Sequence, residues 1–382
     1  MQPLTVLITQ QSLAIRGGST AYTRDLAVGL LRQGHHPIVY STDLGDLARE
    51  IRLATVPVVD DLGALSVRPD VVHGNHHAEL ITALLRFPAV PGVHACHAWY
   101  YADAFPPRFP RIRRYVAVDD TCRDRLVYEE GIPEDRVRVV FNAVDLTRFR
   151  PRPPLPARPR RAVVFSNYAS EGTHLPVVRE VAARLGVTLE VIGEGAGVPH
   201  ARPEEVLGQF DLVFAKARCA LEAMAVGAAV VLCDATGSGP LVTAAEVDRL
   251  RRLNFGIRAL AGPLHPDLLT REASRYDPDD AREVSRRIRA GASLETKVGE
   301  LLAVYAEVLA EQARAAPGDP AAEARAAADY LRWVTPQWRE TLTLRERLRR
   351  VEEECRQLRA RAAGGPPPST PSGGGGPTSP SG

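Results

Sequence analysis

The stretch LTVLITQQSLAIRGGSTAYTRDLAVGLLRQGHHPIVYS, residues 4–41, carries the pattern that decides the fold class. The apolar segment LTVLIT is followed by a glycine-rich turn, a predicted amphipathic helix over residues 21–32 and a second apolar segment, PIVYS. The same order continues with DVVHGN at 70–75 and a predicted helix over 78–86. Short apolar strands that alternate with amphipathic helices are typical of βαβ units. We therefore predict an α/β protein built on parallel sheet.

The rest of the chain predicts a second domain of the same kind and a helical extension. Further strands at GVHACH, YVAV and RVRVVFN complete a first domain over residues 1–150. The proline-rich segment around RPRPPLPARPR predicts a semi-rigid linker at 151–161. The alternation restarts at AVVFSN and predicts a second domain over 162–313. A helical extension over 321–362 and a disordered Gly/Pro/Ser-rich tail over 364–382 follow.

The predicted extension carries a short heptad pattern. Its apolar residues recur at spacings of four and three: Leu344, Leu348, Val351, Cys355 and Leu358. Such spacing is typical of a coiled-coil seam. Two interpretations stay open, a homodimer through this helix and a single amphipathic helix packed on its own domain.

Composition excludes several classes of protein. The 382 residues are 45% hydrophobic with a net charge of +2, and the basic residues are dispersed, so no nucleic-acid footprint is predicted. MQPLTVLITQ lacks a basic segment before its apolar residues, and we expect no signal peptide and no membrane span. The five cysteines form no Cys-x-x-Cys pair, which favours a reducing cytoplasm over disulfides or zinc. Almost every basic residue is Arg, which is typical of proteins encoded by GC-rich bacterial genomes.

The turn Gly17-Gly18 precedes the first helix, where flexible backbone and unpaired N–H groups suit a phosphate or sugar, although a plain turn has the same sequence. The segment RGGSTAYTRDLAVGLLRQGHHPIVYS, with its Gly34-His35 pair, resembles the opening of group 1 (family 4-like) retaining glycosyltransferases. RPDVVHGNHH, the Asn-x-Val-Asp turn in RVRVVFNAVDLTRFRP and VIGEG extend the resemblance over most of residues 1–243.

This resemblance implies a GT-B fold, in which two Rossmann-like domains face each other across a cleft. It implies transfer of a sugar from a nucleotide-diphosphate sugar to an unidentified acceptor, with retention and without metal or other cofactor. Glu222, in LEAMAVGAAVVLCD, matches the Glu that accepts both ribose hydroxyls. Without the resemblance, Glu222 is simply an acidic residue in the first turn of a helix. The resemblance also implies that Glu194 of VIGEG binds the donor and that His97 of GVHACHAW lies near the reacting sugar.

The sequence departs from the family pattern at two places. Phe214 stands where the family has a Glu that contacts the donor sugar, and SNYASEGTHLP lacks the Arg and Lys that hold the diphosphate. Lys216, joined by Arg218, is our candidate replacement for the lost cations, because a flexible ammonium can act as a point charge. An ordinary surface lysine is the alternative.

Three further features have competing interpretations. Gly237, Ser238 and Gly239 in GSGP offer backbone N–H groups to an anion, or form a plain turn. A histidine metal cluster is disfavoured, because strand alternation scatters its members, which are His73, His76, His77 and His94. Asp60-Asp61 and Asp119-Asp120 could hold a metal–diphosphate, but Asp120 is predicted to cap a helix over 121–130.

Two other functions fit the same fold. A nucleotide-sugar 2-epimerase requires acid/base groups around the sugar instead of an acceptor pocket, and the Gly-Gly turn favours transfer over it. A nucleotide-sugar-binding scaffold without turnover is consistent with the two departures.

Overall fold

The computed structural model describes residues 2–100, 105–200, 202–315 and 318–362. The chain divides into two compact units, Met1–Asp319 and Pro320–Gly382. The described part of the second unit is a single helix, α11 (Pro320–Ala362). The predicted tail at 364–382 lies outside the described residues. Within the described chain, no helix is long and apolar enough to cross a membrane.

A parallel sheet organises the first half of the chain. Among the described residues its strands have the order β3-β2-β1-β4-β5-β6-β7. They are β1 (Thr5–Thr9), β2 (His36–Tyr40), β3 (Val58–Val59), β4 (Val71–Gly74), β5 (Gly92–Cys96), β6 (Ile112–Ala117) and β7 (Val137–Val139). The helices of this half are α1 (Gly18–Arg32), α2 (Asp46–Leu53), α3 (His77–Arg86) and α4 (Asp120–Asp124). The predicted βαβ pattern is therefore present.

A second sheet follows the linker, in the order β12-β11-β10-β8-β9, and only its edge strand β12 is antiparallel. Its strands are β8 (Arg161–Phe165), β9 (Thr188–Ile192), β10 (Leu212–Ala215), β11 (Ala229–Asp234) and β12 (Gly237–Leu241). The helices of this half are α5 (Leu175–Leu185), α6 (Ala217–Val226), α7 (Val247–Arg252), α8 (Pro266–Ala273), α9 (Pro278–Gly291) and α10 (Leu294–Arg314).

The strand orders indicate at which point of each sheet a ligand is expected to bind. In the first sheet the order reverses between β1 and β4, and in the second between β8 and β10. Ligands of open α/β sheets bind outside the carboxyl ends of the strands at such reversal points. Gly17, Asn167 and Lys216 all lie just beyond strands that flank these points. The fold therefore brings the predicted loops to the expected edges.

Helix α10 packs on the first sheet although it follows the second one in sequence. Leu294, Val298, Leu301 and Tyr305 are buried in the same hydrophobic cluster as the β1 and α1 side chains. The predicted limit at residue 313 grouped this segment with the second domain. Its apolar face instead covers the first sheet, because burial of that stripe outweighs sequence proximity.

Several local predictions differ from the structure. Helix α1 begins three residues earlier than predicted, directly after Gly17. The helix predicted over 121–130 is an α-helix only to Asp124 and continues as a π-turn. Asp119, and not Asp120, caps it: the Asp119 carboxylate accepts a 2.6 Å hydrogen bond from the Cys122 N–H. The cap therefore lies one residue before the predicted position.

Candidate functional site

A pocket of about 150 Å³, here called the cleft pocket, opens between the carboxyl ends of the two sheets. Five residues predicted to bind the donor line it, namely Gly17, Gly18, Glu194, Arg218 and Glu222. Arg16, Arg24, Arg148 and Asn167 also line it and were not predicted. The structure thus brings together residues that are far apart in the sequence.

The first-domain wall of the cleft pocket is the amino-terminal turn of α1. Gly17 is extended, and its N–H donates to Thr20 Oγ1 at 2.8 Å. The next N–H groups have no intrahelical acceptor, because they open the helix. Residues 17, 20 or 21 and 24 lie on one face of an α-helix, so Arg24 faces the same pocket. This wall therefore offers backbone donors and a guanidinium to an anion.

Glu222 and Arg218 form the opposite wall, both on α6. Arg218 Nε donates to Glu222 Oε1 at 2.8 Å; Glu222 is buried, and 12% of the Arg218 side chain is exposed. Burial raises the pKa of the Glu222 carboxyl, an effect that Arg218 partly offsets. Burial also opposes the charge of Arg218, but Asp25 and Glu222 outweigh it and raise the pKa of the guanidinium. The carboxylate predicted to hold the ribose is therefore paired with a cation.

Asp25 on α1 connects the two walls. It is 3% exposed and forms ion pairs with Arg218 across the cleft and with Arg24 at 3.0 Å. Arg148 approaches it at 3.7 Å and pairs with Glu204 at 2.8 Å. Sequence reasoning did not identify Asp25, because a lone Asp within an amphipathic helix carries no motif.

The VIGEG segment packs against the loop that follows β8. A Cβ at Gly193 would lie 1.9 Å from the Ser166 carbonyl oxygen, and one at Gly195 2.7 Å from the Asn167 carbonyl oxygen. Only glycine permits this approach. The Asn167 side chain in turn donates to the Arg16 carbonyl across the cleft at 3.0 Å. The motif therefore shapes the pocket floor on which Glu194 lies.

Lys216 has a different environment from the one predicted. Its ammonium forms an ion pair with Asp234, at the end of β11, and lies 5.2 Å from the centre of the Tyr168 ring. Lys216 is not among the residues that line the cleft pocket. Its assignment to the diphosphate remains a prediction, and the pocket arginines are the alternative cations.

The GSGP segment is neither a plain turn nor an open anion cradle. Gly237, Ser238 and Gly239 lie in β12, the antiparallel edge strand. The Ser238 N–H donates to the Gly262 carbonyl at 2.9 Å, and its hydroxyl donates to the Pro263 carbonyl at 2.7 Å. None of the three lines the cleft pocket. The expectation that this segment presents free N–H groups is corrected at Ser238, because pairing with a neighbouring segment uses its donor.

His97 lies just past the end of β5, partly buried, as predicted from its position after a strand. Its Nε2 is 2.9 Å from Asn75 Oδ1, while Asn75 Nδ2 donates to Thr23 Oγ1 at 2.9 Å. With the amide so oriented, Nε2 carries the proton and Nδ1 is an acceptor. Burial lowers the pKa of His97 well below its usual value, with nearby histidines and Lys297 adding to the effect. The imidazole is therefore neutral and oriented.

Lys297 is a buried lysine on α10. It is 5% exposed, its Nζ lies 4.1 Å from the centre of the Tyr22 ring, and it donates to Asn142 Oδ1 at 3.1 Å. Burial holds its pKa well below the ordinary value. The only signal in the sequence was the rarity of lysine in this chain.

The histidines that could have formed a metal cluster have other environments. His73 lies between the hydroxyls of Tyr22, at 3.1 Å, and Tyr305, at 2.8 Å, and burial lowers its pKa to about 3. His94 is fully buried beside the Tyr115 ring. No group of three or more His, Cys, Asp or Glu side chains in the described chain is arranged to hold a metal ion.

The comparisons with known proteins agree with this geometry. Residues 16–148 match the model of Glycosyltransferase Family 4. A glycosyltransferase from Rickettsia africae superimposes with a TM-score of 0.58 at 16% identity, over 81% of this chain and 99% of that one. Anabaena HepE, solved with UDP and glucose, superimposes with a TM-score of 0.56 at 13% identity, over 80% and 100%. The fold is GT-B.

The predicted GT-B fold is confirmed, and the match to the family model lies within the first domain. A putative UDP-N-acetylglucosamine 2-epimerase from Listeria monocytogenes also superimposes, with a TM-score of 0.50 at 13% identity, over 83% of this chain and 99% of that one. At such identities a superposition shows a shared fold. No curated protein matches the sequence.

Proposed function

We propose that this GT-B chain transfers a sugar from a nucleotide-diphosphate sugar to an acceptor hydroxyl, with retention of configuration and without a metal ion. One observation carries the proposal: Glu222 and the amino-terminal turn of α1 lie on opposite walls of one pocket. A carboxylate suited to a ribose diol and helix N–H groups suited to a diphosphate are thereby presented to a single ligand.

Binding of the donor requires an exchange of partners. The two ribose hydroxyls donate to the Glu222 carboxylate, which in the free protein accepts from Arg218. Diphosphate oxygens accept from the first turn of α1 and from Arg24 and Arg218. Each guanidinium already has a carboxylate partner, so the ligand replaces existing ion pairs instead of meeting free cations.

The chemistry proposed is a single displacement on one face of the sugar. The bond between C1 and the β-phosphate oxygen breaks while the acceptor oxygen bonds to C1, and the acceptor proton passes to the departing phosphate. Negative charge grows on the diphosphate in the transition state, where the guanidinium groups and N–H donors stabilise it. Neutral His97, with Nδ1 as an acceptor, can orient a hydroxyl of the sugar or the acceptor.

The proposal of metal independence rests on two supports. The described residues hold no cluster of potential metal ligands, and four arginines line the cleft pocket instead. Guanidinium groups can neutralise a diphosphate as a divalent cation does. Activity should therefore survive excess EDTA; loss of activity that magnesium or manganese restores would overturn this part.

The decisive experiment combines binding with product analysis. Because HepE was solved with UDP-glucose, uridine diphosphate sugars are the first donors to test, followed by GDP-, ADP- and dTDP-sugars. Donor-dependent stabilisation in a thermal-shift assay, followed by release of nucleotide diphosphate, supports transfer. A 2-epimerised sugar released without an acceptor would point to the epimerase, and tight binding without any turnover to a scaffold. Proton NMR of the product anomer tests retention.

A further inference from the structure

The carboxyl-terminal half of α11 presents an uncovered apolar stripe. Leu344, Leu348, Val351 and Leu358 are 54–62% exposed, and Cys355 is exposed as well. Exposed single apolar residues are common, but a stripe of five at spacings of four and three is the signature of a coiled-coil seam. A second helix of the same periodicity can bury such a stripe.

The seam defines the heptad positions of this segment, here called the zipper segment (residues 340–359). Thr341, Leu348 and Cys355 take position a, and Leu344, Val351 and Leu358 take position d. Charged residues then fill every flanking position. Position g holds Glu340, Arg347 and Glu354, and position e holds Arg345, Glu352 and Arg359.

We propose that the zipper segment pairs with the same segment of a second copy as a parallel, in-register, two-stranded coiled coil. In that arrangement each g residue faces the e residue five positions further along the other chain. The facing charges are opposite at each of the three steps: Glu340 with Arg345, Arg347 with Glu352, and Glu354 with Arg359. None of these six side chains forms an ion pair with another described residue.

The same charges oppose the shifted registers. If one chain slides by a heptad relative to the other, Glu340 and Arg347 of one chain face Glu352 and Arg359 of the second copy. In the same complex, Arg347 and Glu354 of the second copy face Arg345 and Glu352 of the first. Like charges at these positions repel, so the alternating sign selects one register.

The position of Cys355 distinguishes a parallel from an antiparallel pair of helices. At an a position of a parallel, in-register pair, the two Cys355 side chains face each other across the seam. In an antiparallel pair with full overlap of the seam, Cys355 packs opposite Leu344, and the two Cys355 residues are about 16 Å apart along the axis. Cys96, Cys122 and Cys233 are buried and Cys219 is half-buried, which makes Cys355 the accessible thiol for cross-linking.

The first experiment uses the full chain, and this proposal does not rest on the proposed function. A bifunctional maleimide with a spacer shorter than this offset should link wild-type chains into covalent dimers, and Cys355→Ser should abolish the product. Light scattering should show a dimer whose population falls on dilution. Leu348→Glu should give a monomer with an unchanged melting temperature of the α/β unit, since that side chain is 57% exposed.

The second experiment tests the charges. Glu354→Arg places two arginines opposite each other and should weaken dimerisation at least tenfold, and adding Arg359→Glu should restore it. A chain that stays monomeric at all concentrations, a dimer that Leu348→Glu leaves intact, or a dimer that does not cross-link through Cys355 would each overturn the proposal. Co-sedimentation of a monomer with anionic lipid vesicles would assign the stripe to a membrane surface instead.

Discussion

Asp25 and Arg218 form a largely buried ion pair across the cleft, one on α1 of the first domain and the other on α6 of the second. Arg218 also forms an ion pair with Glu222, so a single guanidinium connects the first domain to the carboxylate that is predicted to bind the ribose. If a nucleotide binds Glu222 as proposed, we expect it to alter this interdomain contact.

The first prediction concerns the strength of this ion pair. A double-mutant cycle with Asp25→Asn and Arg218→Gln should give a coupling free energy of about 1 kcal/mol or more in urea unfolding, because the side chains are only 5% and 12% exposed. The matched control is the interdomain pair Asp120–Arg252, at 2.7 Å, whose side chains are 22% and 66% exposed. Its coupling should stay below about 0.5 kcal/mol. Equal couplings would remove the special role of Asp25.

The second prediction concerns Glu222. Glu222→Gln keeps the shape of the side chain and should weaken binding of the donor and of the free nucleotide diphosphate by about 1.5–3 kcal/mol, the range for hydrogen bonds to charged groups. Isothermal titration calorimetry with each nucleotide measures this. The control Glu190→Gln, at an exposed ion pair with Arg161 outside the pocket, should bind as the wild type does. Unchanged affinity in Glu222→Gln would reject the ribose assignment.

The third prediction compares two candidate cations for the departing diphosphate. Both are paired with a carboxylate, but Arg24 lines the cleft pocket and Lys216 does not. Arg24→Gln should therefore lower kcat by about 10²-fold, the scale of a lost electrostatic contact in the transition state, and Lys216→Gln by less than about tenfold. Steady-state kinetics at a saturating donor concentration measure the kcat of both variants. The reverse order would support the assignment of Lys216 made from the sequence.

The fourth prediction concerns the buried charge of Lys297. Because its pKa is lowered in the folded protein, the unfolded chain binds more protons, and this group destabilises the fold increasingly as the pH falls below about 10.4. Lys297→Met should raise the free energy of unfolding at pH 7 by about 1 kcal/mol or more and flatten its rise with pH. Denaturant titrations at several pH values test both. A loss of stability would mean that its bond to Asn142 outweighs desolvation.

The fifth prediction concerns His97. His97→Ala should lower kcat more than it lowers nucleotide affinity, because its proposed partner is the sugar or the acceptor and not the nucleotide. Asn75→Leu removes the acceptor that holds the Nε2 proton and should reproduce part of the loss, while His97→Gln should retain more activity than His97→Ala. Equal losses of kcat and nucleotide affinity in His97→Ala, together with a lower melting temperature, would indicate misfolding.

Sequence periodicity was sufficient for the two sheets because a buried parallel strand must be a short apolar run, and the linking helices must be amphipathic. The sequence indicated Gly17 and the glycines of VIGEG, Gly193 and Gly195, because these motifs reflect requirements of the local backbone. Asp25, Arg24 and Arg148 were not, since their role depends on side chains from distant parts of the chain that meet across the cleft.

What the sequence determined by itself is therefore the alternation of strands and helices, the glycine-dependent turns and the heptad seam, all of which are periodic or short in range. Only the tertiary structure decided which charges are buried and which partners neutralise them. Lys216 and Lys297 show the difference: the sequence favoured a functional role for Lys216 and carried no pattern that placed Lys297 in the interior. In the structure, Asp234 pairs with Lys216, while packing of α10 on the first sheet buries Lys297 against Tyr22. Burial and pairing depend on how distant segments pack, which no local pattern encodes.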